Sequence, residues 1–276
     1  MIAALLVGCG GSSPPPPVEL TFPLPLDAPL PCAPSCAREE AARVGVHRAL
    51  GWLAAHTPDT DELRVDLPIM YPEMLRVWRS ELLVAEQQRM VAGLDSGTDP
   101  RRRAWDPSAR LPEGPPTWTP TPGQKVTPNY ALVEALYCTE RGMRPEASTW
   151  VCAELRDGGG VYSAHAAWIE ALAVRNGCLT REATCLDELR DELIAGALAD
   201  RPLTTTLERD EFGEQILFGK MAGAESRALQ PAIDRLLGLQ DESGSFGAPT
   251  RDEPPWYAVH ATLVGAAALT LWLEGP

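Results

Sequence analysis

Two Tyr/His pairs are the residues of this sequence whose types and spacing favour chemistry. Tyr162 and His165 lie three residues apart, and Tyr257 and His260 repeat that spacing 95 residues further along the chain. Residues three apart in a helix share a face. Histidine accepts a proton near neutral pH and a tyrosine hydroxyl donates one, which are the groups that general acid–base catalysis uses. The pairs therefore predict an acid–base site if their helices face each other.

Each pair begins an apolar helix that follows a Gly-rich turn, so the pairs belong to a repeated unit. Alanines at 166, 171 and 173 match those at 261, 266 and 268 with the same offset. In a weaker third copy, Asn129 corresponds to His165 and would add a neutral polar group to the site. Repeated helical hairpins cannot bury their apolar faces alone, so they are expected to stack into a solenoid or a closed ring.

The last copy also carries a family resemblance. The run from Gln240 to Gly247, followed by Tyr257 and His260-Ala261-Thr262, resembles the QW-type repeat of the α/α-toroid superfamily, which includes terpene cyclases and protein prenyltransferase β-subunits. Phe246 replaces the usual Trp, and the likeness covers residues 127–276. It implies an all-α fold of stacked helical hairpins forming a partial or closed α/α toroid, and it implies no reaction. The Asp-rich cyclase motif and the Asp-x-Cys of a prenyltransferase zinc site are both absent from the sequence.

Three interpretations of the Tyr/His pairs remain open. In a structural one, each His caps a backbone carbonyl and each Tyr packs under a Gly turn. In a second, Tyr162, His165, Tyr257, His260 and Asn129 line a catalytic lumen, and these residue types resemble those used by some toroid polysaccharide lyases. In a third, His165 and His260 bind a metal with Asp157 or Asp241. Because the sequence indicates no third ligand, no metal or cofactor is predicted.

Charge and composition exclude some partners. The chain has 276 residues and a formal net charge of −14, which gives a pI near 4.8. Binding to nucleic acid depends on Lys and Arg facing the phosphates, so no nucleic acid is expected as a partner. Anionic lipid headgroups are not expected as partners either, because they carry the same sign of charge as the protein.

The N-terminus predicts a lipid anchor. Residues 1–8 are apolar, and Leu6 to Cys9 fits a bacterial lipobox in which Cys9 is lipidated. A basic n-region is missing, so residues 1–8 are interpreted as a truncated lipoprotein signal peptide. Residues 9–34 are rich in proline and predict an extended tether. We therefore expect a bacterial cell-envelope protein, on the periplasmic face or in the outer membrane, that contacts the membrane through its lipid only; a chance apolar N-terminus is the alternative.

Six further cysteines predict disulfides. An even number in an exported chain is typical of an oxidising compartment. Sequence proximity favours three pairs: Cys32–Cys36, Cys138–Cys152 and Cys178–Cys185. Metal binding by the first pair is the alternative, but no Cys/His pair of matching spacing completes a zinc site.

The helical body is predicted to span residues 35–276. Apolar spacing predicts helices over 37–56, 68–94 (or 72–94), 129–142, 146–156, 162–176, 182–199, 208–221, 226–239 and 256–273. A long Pro-rich loop at 95–128 carries Trp105 and Trp118, which would either stack on a sugar ligand or anchor the loop to the body. The last helix approaches the length of a membrane span. Its likeness to the helix at 162–176, which carries charges, favours burial in the protein.

These observations favour a non-catalytic scaffold or ligand-binding module of the cell envelope, with a glycan or an envelope protein as partner. The alternative is a toroid-type enzyme, a polysaccharide lyase or hydrolase that acts on a glycan or envelope polymer through the Tyr/His pairs. Histidines bonded to backbone carbonyls would support the scaffold, whereas histidines in an open cleft would support the enzyme.

Overall fold

The fold is all-helical apart from two short strands. The computed structural model describes residues 2–4, 18–20, 34–56, 67–91, 100–106, 108–110, 128–248 and 255–275. Ten α-helices lie in these ranges: α1 Pro34–His56, α2 Tyr71–Val77, α3 Glu81–Val91, α4 Pro128–Arg141, α5 Pro145–Trp150, α6 Gly160–Arg175, α7 Leu186–Leu198, α8 Thr206–Met221, α9 Gln230–Leu239 and α10 Pro255–Trp272. Short 3₁₀ helices span Leu67–Met70, Pro100–Ala104 and Arg181–Ala183, and a π-helical turn spans Val151–Leu155.

Two strands near the N-terminus pair with each other. β1 (Ile2–Ala4) runs antiparallel to β2 (Val18–Leu20), with Ile2 opposite Leu20. β2 lies within the predicted tether, and β1 lies within the predicted signal peptide. Extended backbone in a tether and in a strand has similar dihedral angles, so the sequence pattern of a tether does not distinguish the two. Cys9 lies outside the described residues.

α8 lies at the centre of the helical body. It packs against α6, α7 and α10, and α1 also packs against α10. Both α8 and α10 are buried over most of their length, as the nearly uniform apolar character of α10 predicts. Among the described helices, none combines the length and apolar character that crossing a membrane needs.

One predicted helix is broken. The apolar pattern over 68–94 predicts a continuous helix, but α2 ends at Val77 and Trp78 adopts extended backbone. Ser80 then caps α3, because its Oγ accepts a hydrogen bond from the Leu83 amide at 3.1 Å. Serine competes with the helical backbone for hydrogen bonds and favours N-cap positions. The interruption therefore follows from one residue within an otherwise periodic pattern.

The predicted disulfide pairing is wrong for the cysteines that the structure describes. Cys138 pairs with Cys178, and Cys152 pairs with Cys185, over sequence separations of 40 and 33 residues. The first disulfide joins α4 to the turn after α6, and the second joins the π-helical turn to the start of α7. Pairing follows which helices pack together, not which cysteines are neighbours in the chain. Cys32 and the side chain of Cys36 lie outside the described part.

Candidate functional site

The site is built on the start of α8. The Thr205 hydroxyl accepts a hydrogen bond from the Glu208 amide at 3.2 Å, and Glu208 Oε2 accepts one from the Thr205 amide at 2.8 Å. Backbone hydrogen bonds, first that of Thr205, lower the pKa of Glu208 to about 2. A reciprocal cap of this kind fixes where a helix begins. It therefore fixes the position of Asp210, which lies one turn into the helix.

Two glycines allow close packing around α10: Gly213 of α8 lies against α10, and Gly265 of α10 lies against Phe246. A Cβ added at Gly213 would lie 2.9 Å from Val264 Cγ1, and one at Gly265 would lie 2.6 Å from the Phe246 ring. Phe246 is fully buried in the turn before α10. Contacts this short leave no room for any side chain larger than hydrogen. The approach brings His260 of α10 against the acidic face of α8.

His260 and Asp210 form a hydrogen-bonded pair. His260 Nδ1 lies 2.8 Å from Asp210 Oδ1 and 2.9 Å from Oδ2. A carboxylate only accepts, so Nδ1 carries the hydrogen. The Asp210 side chain is 7% exposed and that of His260 is 21% exposed, so the pair is reached from solvent on the histidine side.

Glu214 lies one helical turn after Asp210 and is more deeply buried. Its side chain is 2% exposed, and within the described ranges its Oε2 accepts no hydrogen bond. Burial raises the pKa of Glu214 well above its ordinary value, and the charge of Asp210 raises that pKa further, whereas His260 opposes the rise. Two carboxylates that are close and buried cannot both ionise without a compensating positive charge.

The second predicted histidine also faces this carboxylate. His165 Nδ1 donates to the Val161 carbonyl at 2.8 Å and lies 3.9 Å from Glu214 Oε2. His165 and His260 therefore both lie near the Glu214 side chain. They differ in their bonds, because His165 is bonded to a backbone carbonyl and His260 to a carboxylate.

The candidate ligand atoms are close together. One ligand atom each from Asp210, Glu214 and His260 lies within 4.8 Å of the other two. These three residues are called the Asp/Glu/His cluster below. Two carboxylates and an imidazole are ligands that suit divalent transition metals. The same groups can also exchange protons, because a raised carboxyl pKa next to an oriented imidazole provides an acid and a base.

The other predicted site residues lie away from the cluster's hydrogen bonds. Tyr162 is 54% exposed and packs over Gly158. A Cβ added at Gly158 would lie 3.0 Å from the Cβ of Tyr162. Tyr257 stacks on Trp256 with ring centroids 3.9 Å apart. Asn129 is exposed in the first turn of α4. Neither tyrosine hydroxyl bonds to the cluster within the described residues, so the histidines and not the tyrosines mark the site.

Of the two loop tryptophans, the structure describes Trp105 only. Trp105 is partly buried against the hydrophobic core, and its amide bonds to the Arg102 carbonyl at 3.1 Å. Trp105 therefore contacts the body, and stacking on a sugar ligand stays a prediction. Trp118 lies outside the described residues.

Sequence reasoning missed both carboxylates of the cluster. It considered Asp157 and Asp241 as metal partners of the histidines. Asp241 Oδ1 instead accepts backbone hydrogen bonds, among them one from the Ser243 amide at 2.9 Å, and Asp157 is exposed at the end of the helical segment that precedes Gly158. The available signal was an Asp and a Glu four residues apart in α8, where Glu214 and the adjacent Gln215 interrupt the apolar stretch from Phe212 to Phe218. An ionisable residue within such a run is costly to bury unless it has a function or a partner.

Comparison of the chain with protein-family models, with curated proteins and with solved structures finds no match.

Proposed function

We propose that the Asp/Glu/His cluster binds a divalent transition-metal ion, and that the protein is a metal-binding module of the cell envelope. The observation that supports this most is the buried Glu214 Oε2, which has no hydrogen bond in the described residues and lies beside Asp210. Like charges four residues apart destabilise a helix. A bound dication would satisfy Oε2 and compensate both carboxylates at once.

The types of ligand in the cluster limit which metal ions would bind. One imidazole and two carboxylates are typical of Zn²⁺ or Mn²⁺ sites and leave a coordination position open. Ligand atoms around tetrahedral zinc lie about 3.3 Å apart, so atoms within 4.8 Å of one another reach this geometry by small side-chain rotations. Ion binding would replace the His260–Asp210 hydrogen bond: the imidazole hydrogen would move to Nε2, so that Nδ1 and an Asp210 oxygen could both face the ion.

The proposed setting combines the anchor with a ring-shaped body. Lipidation at Cys9 would attach the chain to the envelope, and the disulfides Cys138–Cys178 and Cys152–Cys185 suit an oxidising compartment. Packing of α1 against α10 is the contact that a closed α/α toroid requires. A toroid would present the cluster from its inner helices.

Calorimetric titration with Zn²⁺ and with Mn²⁺, after dialysis against a chelator, tests the metal proposal. We expect one ion per chain, with an affinity that rises with pH because Glu214 must lose its proton to bind. Glu214→Gln and Asp210→Asn should each weaken binding by more than about tenfold, since even indirect partners of a ligand contribute that much. Asp200→Asn, at an exposed carboxylate, should bind like the wild type. Equal binding by all four proteins would contradict the proposal.

A second candidate is an enzyme that acts on a glycan of the envelope. The observation in its favour is that the raised pKa of Glu214 and the imidazole held by Asp210 place an acid and a base within 4.8 Å. Release of soluble fragments from purified envelope glycan would support this candidate. Loss of that release in Glu214→Gln, but not after chelation, would assign it to proton transfer without a metal.

A further inference from the structure

A second site lies on the other side of Trp168. A cavity of about 440 Å³ opens between the 3₁₀ helix Pro100–Ala104, α2, α4 and α6. None of the three cluster residues lines it. Trp168 does, and its ring lies 6.1 Å from the His165 ring. The cavity, called the arginine cavity below, has the size of a small-molecule site, about 300–1,000 Å³.

Three arginines line the cavity, although the protein as a whole is strongly acidic. Arg76, Arg103 and Arg175 line it, and Glu73 is the one acidic lining residue. Glu73 accepts from Arg175 Nη1 at 2.6 Å. Arg76 is paired with Glu274 as well. Arg103 is paired with Glu140, so three carboxylates balance the three guanidinium groups, but only one of them, Glu73, lines the cavity.

Two of these arginines are held in place and retain free donors. Arg103 Nη1 donates to the Ala109 carbonyl at 2.8 Å, and its guanidinium lies 4.9 Å from the Tyr137 ring centroid. Within the described residues, the Nε and Nη2 groups of Arg103 and Arg175 donate no hydrogen bond. A guanidinium with two adjacent free donors matches a carboxylate or sulfonate in geometry.

The remaining lining is apolar. Ile69, Leu136, Trp168 and Leu172 are buried side chains that line the cavity. Apolar walls with a few convergent polar groups are typical of small-molecule sites. The walls would hold a hydrocarbon or aromatic body while the arginines hold an anionic group.

From this arrangement we infer that the arginine cavity binds a small organic anion, a carboxylate or sulfonate with an aromatic or short aliphatic body. The anionic group lies between Arg103 and Arg175, and the body packs on Trp168. This site does not depend on metal binding by the Asp/Glu/His cluster.

Fluorescence titration with anilinonaphthalene sulfonate tests the inference, with uncharged phenylnaphthylamine as the matched probe. We expect the sulfonate to saturate one site per chain and to bind more tightly than the neutral dye. Arg103→Gln should weaken sulfonate binding by about tenfold, the effect of losing one charged hydrogen bond, and should leave the neutral dye unaffected. Arg227→Gln, at an exposed arginine outside the cavity, is the matched control.

Two further variants guard against loss of folding. Arg175→Gln should also weaken sulfonate binding, but it removes the partner of the buried Glu73 and needs a folding check by circular dichroism. Thr139→Trp, at an exposed position of the lining, should block the cavity without changing charge. Unchanged sulfonate binding in folded Arg103→Gln, or in Thr139→Trp, would overturn the inference, as would equal binding of the two dyes.

Discussion

Glu170 should make the stability of this protein fall as the pH rises from acid to neutral. Its side chain is fully buried in α6, and its Oε1 accepts one hydrogen bond from Ser148 Oγ at 3.1 Å. Oε2 has no hydrogen-bond partner within the described residues. Burial raises the pKa of Glu170 from 4.5 to about 7, and the Ser148 hydrogen bond opposes this rise.

The sign and size of the effect follow from linkage. Well below pH 4.5 the carboxyl is protonated in both the folded and the unfolded chain, so burial carries no cost of ionisation. Between pH 4.5 and about 7 the unfolded chain loses the proton first, and the free energy of unfolding decreases. Since one pKa unit is equivalent to about 1.4 kcal/mol, the total decrease is about 3 kcal/mol.

Glu170→Gln isolates this contribution. Glutamine keeps the Oε1 acceptor for Ser148 but does not titrate, so any constant cost of its amide cancels when one variant is compared across pH. In urea unfolding followed by circular dichroism with chelator present, the stability of the wild type relative to the variant should drop by about 3 kcal/mol between pH 4.5 and pH 8. Glu182→Gln, at an exposed carboxylate, should follow the wild type at every pH. Parallel curves for the wild type and Glu170→Gln would refute the reasoning.

Two further predictions concern packing and crosslinks. Gly265→Ala should lower the free energy of unfolding by about 1–3 kcal/mol, because its Cβ would overlap the Phe246 ring. Gly238→Ala in α9 is the control: a Cβ there meets nothing within 4 Å, so the variant should be more stable by about 0.5–1 kcal/mol. Thermal melting measures both effects, and a Gly265→Ala protein as stable as the wild type would contradict the close approach of Phe246 to α10. Replacing Cys138 and Cys178 together by Ser should cost about 2–4 kcal/mol, and peptide mapping of the unreduced wild type should recover these two cysteines in one crosslinked fragment; a fragment joining Cys138 to Cys152 would contradict the described pairing.

Helices could be predicted from the sequence because their signal is local. The spacing of apolar residues determines which face is buried, and α4 and α6 to α10 begin and end within a few residues of the predicted bounds. The exception at Trp78 arose where a single serine cap outweighed the periodic pattern. Disulfide pairing is not local, so proximity in sequence paired the wrong cysteines.

The site was predicted in part for the same reason. The repeat identified His165 and His260, and both lie against Glu214. The repeat gave no information about α8, because α8 is not a copy of the repeated unit. Both carboxylates of the cluster come from α8. The contact of α8 with α10 depends on close approach at Gly213, and that of Phe246 with α10 on close approach at Gly265. Spacing within one helix does not specify either approach.

Metal binding by the Asp/Glu/His cluster is tested most directly by anomalous diffraction from crystals grown with Zn²⁺, recorded on both sides of the zinc absorption edge. We predict one anomalous peak bounded by Asp210, Glu214 and His260, at about 2.0–2.2 Å from an oxygen of each carboxylate and from an imidazole nitrogen. Its absence from this position, with Glu214 Oε2 instead hydrogen-bonded to a water molecule, would contradict the proposal that these residues form a metal site.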